Sequence, residues 1–239
     1  MTRSNIPCDH QHFTVTNEEE SMNINRLAIS MLLSAVLAST SSGLSAFRQA
    51  KQIELSSKDP GSKVVTFRVS AKSLLLEPSE GTESTLFRDE AIFTINNKDK
   101  TYRVQSYADL LANAKQKAAS AGAASDQGVE FKLTDETETI SGFTARKLMR
   151  VNRGQPDAEF WMSPELLPPG VRKLGDALRS SLPQNYWARV HGNPGLVELA
   201  VLYGVPLRFK ADQQTYQARI IDTPESSLEL PSGYKKLEN

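Results

Sequence analysis

The sequence predicts an α+β fold: one large antiparallel sheet interrupted by two helical insertions. Three observations predict it. Apolar residues alternate with polar ones at a spacing of two along most of the chain, the pattern of half-buried strands. That period gives way to a helical one in two places only. Short polar turns rich in Asn, Asp, Gly and Lys separate the runs, and no repeat of fixed period appears.

Taken in order, KVVTFRVS places Val65, Phe67 and Val69 on one face, and KSLLLEP places Leu74 and Leu76 together. EAIFTIN aligns Ala91, Phe93 and Ile95, and the NNKDK turn leads into TYRVQS with Tyr102 and Val104. SYADLLANAKQKAASAG then changes period: it is alanine-rich, carries Leu110, Leu111 and Ala114 as an apolar stripe, and ends in a Gly/Ala/Ser linker. Strands resume at VEFKLT, with Val129, Phe131 and Leu133 on one face. A hairpin follows, predicted to align Phe143, Ala145, Met149 and Val151, and after NRGQP to align Ala158, Phe160 and Met162. Ser163 and Pro164 suit a helix start. The PPG at 168–170 interrupts that helix, and VRKLGDALRSSL resumes it with Val171, Leu174 and Leu178 on one side. The remainder, LAVLYGVPLRFKAD, TYQARIIDT and LELPSGY, reads as strands.

The first 46 residues read differently. From Met22, an n-region with Arg26, an apolar core from Leu27 to Ala38 and small residues up to Ala46 have the layout of a secretory signal peptide. The apolar run is too short for a membrane span. Residues 1–21 lack periodicity, and three glutamates before Met22 imply purine-rich codons of the kind found in a bacterial ribosome-binding site. Met22 is therefore the expected start, with residues 1–21 a non-native extension, 22–46 the signal and 47–239 a single domain. Cys8, His10 and His12 are closely spaced, but no fourth ligand or scaffold accompanies them, so no metal site is expected. Beyond Ala46 the chain contains no cysteine, which excludes a disulfide and a lipid-modified cysteine, and a soluble exported protein is expected.

Lysine plus arginine and aspartate plus glutamate balance at 28 each, so no electrostatic footprint for nucleic acid exists. Removing residues 1–46 takes away Arg3 and Arg26 against Asp9, Glu18, Glu19 and Glu20, and the balance holds. His191, in ARVHGNPG, lacks a cysteine partner or a serine in a nucleophile elbow. The carboxylate pairs Asp89/Glu90 and Asp135/Glu136 fall at predicted turns, where solvation is their usual role. No glycine-rich phosphate loop or metal-ligand spacing occurs, so no enzyme and no cofactor are expected.

The aromatic residues on strands admit two readings. They are ordinary core, or they wall a cavity left by a strongly curved sheet that closes only in part. On the second reading the candidate lining is Phe67, Val69, Leu76, Phe93, Ile95, Tyr102, Phe143, Phe160 and Met162.

Five stretches carry a resemblance: Ile140 to Phe143, Trp161 to Leu166, Gly204 to Leu207, Leu230 to Tyr234, and the strand-to-helix step KTYRVQSYADLL. Together, over roughly residues 50–236, they resemble a family of periplasmic bacterial domains grouped with the outer-membrane lipoprotein carrier LolA and its receptor LolB. The resemblance implies an incomplete LolA-like barrel, a curved antiparallel sheet with helices over its concave face. It implies a cavity for an apolar ligand, a lipid or lipoprotein acyl chain, with transient contact to the membrane. No lipid-gating position of LolA has a matching motif here. The expected function is thus a non-catalytic periplasmic binding protein; the rival is an envelope module that docks a protein and holds no ligand. A hydrolase built on the carboxylates or His191 is the third.

Overall fold

The computed structural model describes residues 49–57, 63–79, 81–120, 128–182, 186, 195–211 and 213–238. The expected export signal, the Cys8/His10/His12 group and His191 lie outside them.

Six strands form a first meander: β1 (Ala50–Ser57), β2 (Lys63–Val69), β3 (Ser73–Pro78), β4 (Glu83–Arg88), β5 (Ala91–Asn96) and β6 (Thr101–Ser106). A helix, α1 (Tyr107–Ser120), follows directly. Ser106 starts it as a capping residue: its Oγ accepts the Asp109 N–H at 3.0 Å and donates to the Asp109 carboxylate at 2.7 Å. A second meander comprises β7 (Val129–Ile140), β8 (Phe143–Asn152) and β9 (Gln155–Ser163). A 3-10 turn (Pro164–Leu166) then leads to α2 (Pro169–Ser181) and α3 (Leu196–Tyr203). The chain returns through β10 (Val205–Ala211) and β11 (Gln214–Thr223), a second 3-10 turn (Glu225–Leu228) and the two-residue β12 (Lys235–Lys236).

The twelve strands form one sheet in the order β12-β6-β5-β4-β3-β2-β1-β11-β10-β9-β8-β7. Every pairing is antiparallel except β12 with β6, and the pairing of β1 with β11 joins the two meanders. The two ends of the order, β12 and β7, do not meet, so the sheet is not a closed barrel. The α+β expectation holds in this coarse form.

Several elements differ from expectation, each for a physical reason. LAVLY belongs to α3 rather than to a strand, because a short continuous apolar run carries no period to separate the two. Gly204 ends that helix at φ 121°. A Cβ there would lie 2.4 Å from the Ser163 carbonyl carbon, so the backbones approach as only glycine allows. The W-x-S-P-E-L and G-x-P-L stretches are thus one local structure, with Val205 opposite Ser163 and Pro206 opposite Met162. LELPSGY is not a strand but a strap: Leu228 is buried against β3 and β4, and only Lys235–Lys236 pair in the sheet. On β8 the buried residues are Ala145, Leu148 and Val151; Met149 is only partly buried. Register shifts on β7 between Leu133 and Thr137, and on β8 between Arg150 and Val151, break the two-residue phase there. Leu133 accordingly stands 42% exposed.

Cross-strand register separates the two faces of the first meander. Val69 opposes Leu74, which opposes Phe87, which opposes Ile92, which opposes Gln105. These residues share the face on which the helices pack. The alternate row, Leu75, Leu86, Phe93 and Val104, lies on the other face. There Ala50, Leu75, Leu86, Ile95 and Leu228 form a separate small core, with Phe93, Tyr102, Leu230 and Tyr234 packed against it.

Candidate functional site

A cavity of about 580 Å³ lies between the helix layer and the first meander. Its sheet side is formed by Thr85 and Phe87 of β4, Ile92 of β5 and Gln105 of β6. From α1 come Leu110, Asn113, Ala114, Gln116 and Lys117; from α2 comes Leu178; from α3 come Val197, Glu198, Val201 and Leu202, with Tyr186 completing the wall. Helical spacing accounts for the arrangement. Leu110, Ala114 and Lys117 recur at four and three residues and so share one side of α1. Asn113, Gln116 and Lys117 are exposed, which places the mouth of the cavity along α1, whereas Phe87, Ala114, Leu178, Val201 and Leu202 are buried and form its apolar interior.

Close packing of the helices fixes the roof. Gly175 of α2 faces the backbone of α3, where a Cβ would stand 2.1 Å from the Val201 carbonyl oxygen. Arg179 lies over the Tyr203 ring at 5.9 Å, and burial raises the Tyr203 phenol above its ordinary pKa. At the sheet, Phe87 meets Tyr107 with ring centroids 6.5 Å apart. Burial, with Glu90 and Asp89 nearby, pushes the Tyr107 phenol far above the usual range, so it stays neutral and packs as an aromatic. Burial also raises the Tyr186 phenol.

The nine residues expected to line a cavity occupy three other places. Phe67, Val69, Leu76 and Met162 are fully enclosed in the main core. Phe160 is buried beside them and stacks on Phe209 at 5.7 Å, which stacks on Tyr216 at 4.2 Å. Phe143 packs against this core from the β7–β8 end. Phe93, Ile95 and Tyr102 belong to the opposite face, under the strap. The nine therefore do not gather around one space, because alternation fixes a residue's face relative to its own strand and not which face the helices choose. The lining was partly legible: Leu110, Ala114 and Leu178 stood in the expected helix stripes. Phe87 was missed because ESTLFR, with Ser84, Leu86 and Phe87 all buried, shows no clean alternation, and Ile92 because the other row of its strand, Ala91, Phe93 and Ile95, reads as the apolar face.

Outside the cavity, Arg208 holds a two-pronged ion pair with Glu138 at 3.0 and 2.5 Å and lies 4.9 Å from the centre of the Trp161 ring. That bond lowers the Glu138 carboxyl below its ordinary pKa. Arg150 does the same to Asp157 through bonds of 2.7 and 3.0 Å. Asp89 and Glu90 form the β4–β5 turn, and Asp135 and Glu136 pair with Arg146 and Lys147, so both carboxylate pairs are surface groups. Among the described residues no group of three or more metal-ligating side chains gathers, and no helix is long and apolar enough to cross a membrane.

The fold and cavity define an open antiparallel sheet with a helix layer over one face. No protein family matches the chain, and no curated protein does. Among solved structures, PNGF-II is similar over 80% of this chain and 31% of its own, at 15% identity and a TM-score of 0.43. The MucA/MucB complex of Pseudomonas aeruginosa is similar over 76% of this chain and 55% of the solved one, at 12% identity and a TM-score of 0.29. A LolA superfamily protein, NE2245 from Nitrosomonas europaea, is similar over 76% of this chain and 88% of its own, at 7% identity and a TM-score of 0.21. The chain thus spans about a third of PNGF-II. These are distant likenesses of fold, and the chemistry of the cavity is taken from its own lining.

Proposed function

We propose that this chain is an exported, periplasmic binding protein without a catalytic role. Residues 22–46 direct its export, and residues 47–239 hold an apolar ligand, a lipid or a lipoprotein acyl chain, beneath the helices. The observation that carries this reading is the cavity of about 580 Å³, within the roughly 300–1,000 Å³ usual for small-molecule sites. Its interior of Phe87, Ile92, Leu110, Leu178, Val201 and Leu202 offers an apolar chain no reactive group. Each methylene moved there from water contributes about 0.8 kcal/mol. Phe67, Val69, Leu76, Phe160 and Met162 act on this reading as rigid backing, since they share the main core with Phe87 and Ala114.

The test is native mass spectrometry of the protein prepared from a bacterial periplasm without detergent, followed by solvent extraction. A stoichiometric acyl-containing species supports the reading. A bare mass, together with no uptake of added amphiphile, counts against it.

One observation favours a second reading, an envelope module that docks a protein. Strand β7 ends the sheet order, and its Leu133 stands exposed. Under that reading, one stoichiometric envelope partner would be recovered with the wild type and lost with Leu133→Lys, with no lipid present in either.

A further inference from the structure

The sheet beside the cavity narrows what the cavity holds, an inference that rests on the binding reading above. Residues two apart on a strand share a face and stand about 7 Å from one another. Thr85 and Gln105 line the cavity. Thr85 opposes Thr94, Thr94 opposes Arg103, and Arg103 precedes Gln105 by two residues. The row Thr85–Thr94–Arg103 therefore runs beside the row Phe87–Ile92–Gln105 that floors the cavity, on the same face. Thr94 and Arg103 are exposed, so the helices stop short of this second row. Lys235 of β12 opposes Thr101 and so joins Arg103 on that face, and it too is exposed.

These two cations differ from those of the second meander. Arg146, Lys147 and Arg150 hold carboxylates, whereas Arg103 and Lys235 form no ion pair among the described residues. Lys117, at the mouth on α1, is already engaged within the chain. Glu83, the carboxylate that β4 contributes to this face, opposes Asn96 and lies two strands from Arg103. Glu198 lines the helix side of the cavity, so an anion is drawn to the sheet side. There it meets two cations and the hydroxyl donors of Thr85 and Thr94. Capacity limits the apolar part. A dry pocket of about 150 Å³ takes one benzene, and at that ratio a cavity of about 580 Å³ accepts on the order of twenty heavy atoms, one chain rather than two. We propose that the ligand is a single-chain amphiphile with an anionic head, carboxylate or phosphate, its chain on Phe87 and Ile92 and its head at Arg103 and Lys235.

The test uses three probes with the same twelve-carbon chain, laurate, dodecyl phosphate and dodecylamine, each titrated calorimetrically below its micellar concentration. At least one of the two anionic probes is expected to bind one to one, about tenfold more tightly than dodecylamine, and the tighter of the two identifies the head as carboxylate or phosphate. Arg103→Gln and Lys235→Gln should each weaken the anionic probes and leave dodecylamine unchanged. Lys210→Gln, which removes an exposed cation of β10, should leave all three unchanged. Dilauroylphosphatidylglycerol, offered separately with native mass spectrometry as readout, should form no stoichiometric complex. Equal affinity for anionic and cationic heads, anionic binding that survives the double variant of Arg103 and Lys235, an equal loss in Lys210→Gln, or a stoichiometric diacyl complex would overturn the inference while leaving the binding reading standing. If none of the probes binds, both fall.

Discussion

The two faces of the first meander differ in how they are covered. On one, helices rest on Phe87 and Ile92 and span a cavity; on the other, a short strap closes on Leu75, Leu86 and Ile95. The strands are the same, and adjacent residues such as Leu86 and Phe87 face opposite worlds. A helix is a stiff cylinder about 10 Å across, so it bridges a curved surface and leaves space beneath. An extended strap follows the sheet residue by residue. Tyr234 donates to Asn97 Oδ1 at 3.2 Å, and the backbone N–H groups of Lys235 and Leu237 donate to Lys100 and Tyr102. The difference teaches that apolar content alone does not make a binding face; the stiffness of the covering element does.

The largest effect should come from lifting the helices off one another. Gly175→Val would drive side-chain atoms into the α3 backbone, and a loss of about 3 kcal/mol or more is expected in urea denaturation. Stability unchanged by this substitution would mean that the roof is not packed as described. The sharper comparison is between neighbours. Leu86→Ala should cost about 3 kcal/mol, because it opens a hole in a closed core. Phe87→Ala should cost less, about 2 kcal/mol despite losing more atoms, since one side of its ring already borders the cavity and lacks partner atoms. The reverse order in matched unfolding curves would break the contrast between the faces.

Filling the space should separate stability from binding. Ala114→Phe places a ring into the cavity, and its unfolding free energy should stay within about 1 kcal/mol of wild type while uptake of added amphiphile disappears.

The smallest effect lies away from both faces. Arg150 holds the Asp157 carboxyl below its ordinary pKa of 3.8. A carboxyl depressed by folding contributes stability above its unfolded pKa and loses it as pH falls through its folded value. The pair is partly exposed, so screening limits it to at most about 1 kcal/mol. Asp157→Asn should therefore lower Tm slightly at pH 7, with the gap closing as pH falls below about 4. A constant gap down to pH 2 would remove the ion pair as its cause.

What the sequence determined by itself is local. Alternation placed β2, β3, β5, β6 and β9, the 3.6-residue stripe placed α1 and α2, and NRGQP marked the turn that joins β8 to β9. These signals depend only on neighbours along the chain. The tertiary structure alone decided which face of each strand the helices cover, that LVELAVLY is a helix, and that the last residues form a strap. It alone decided that Phe87 and Ile92, rather than Phe93 and Ile95, border the cavity. Alternation is symmetric between the two faces of a sheet, and only packing against a third element breaks that symmetry.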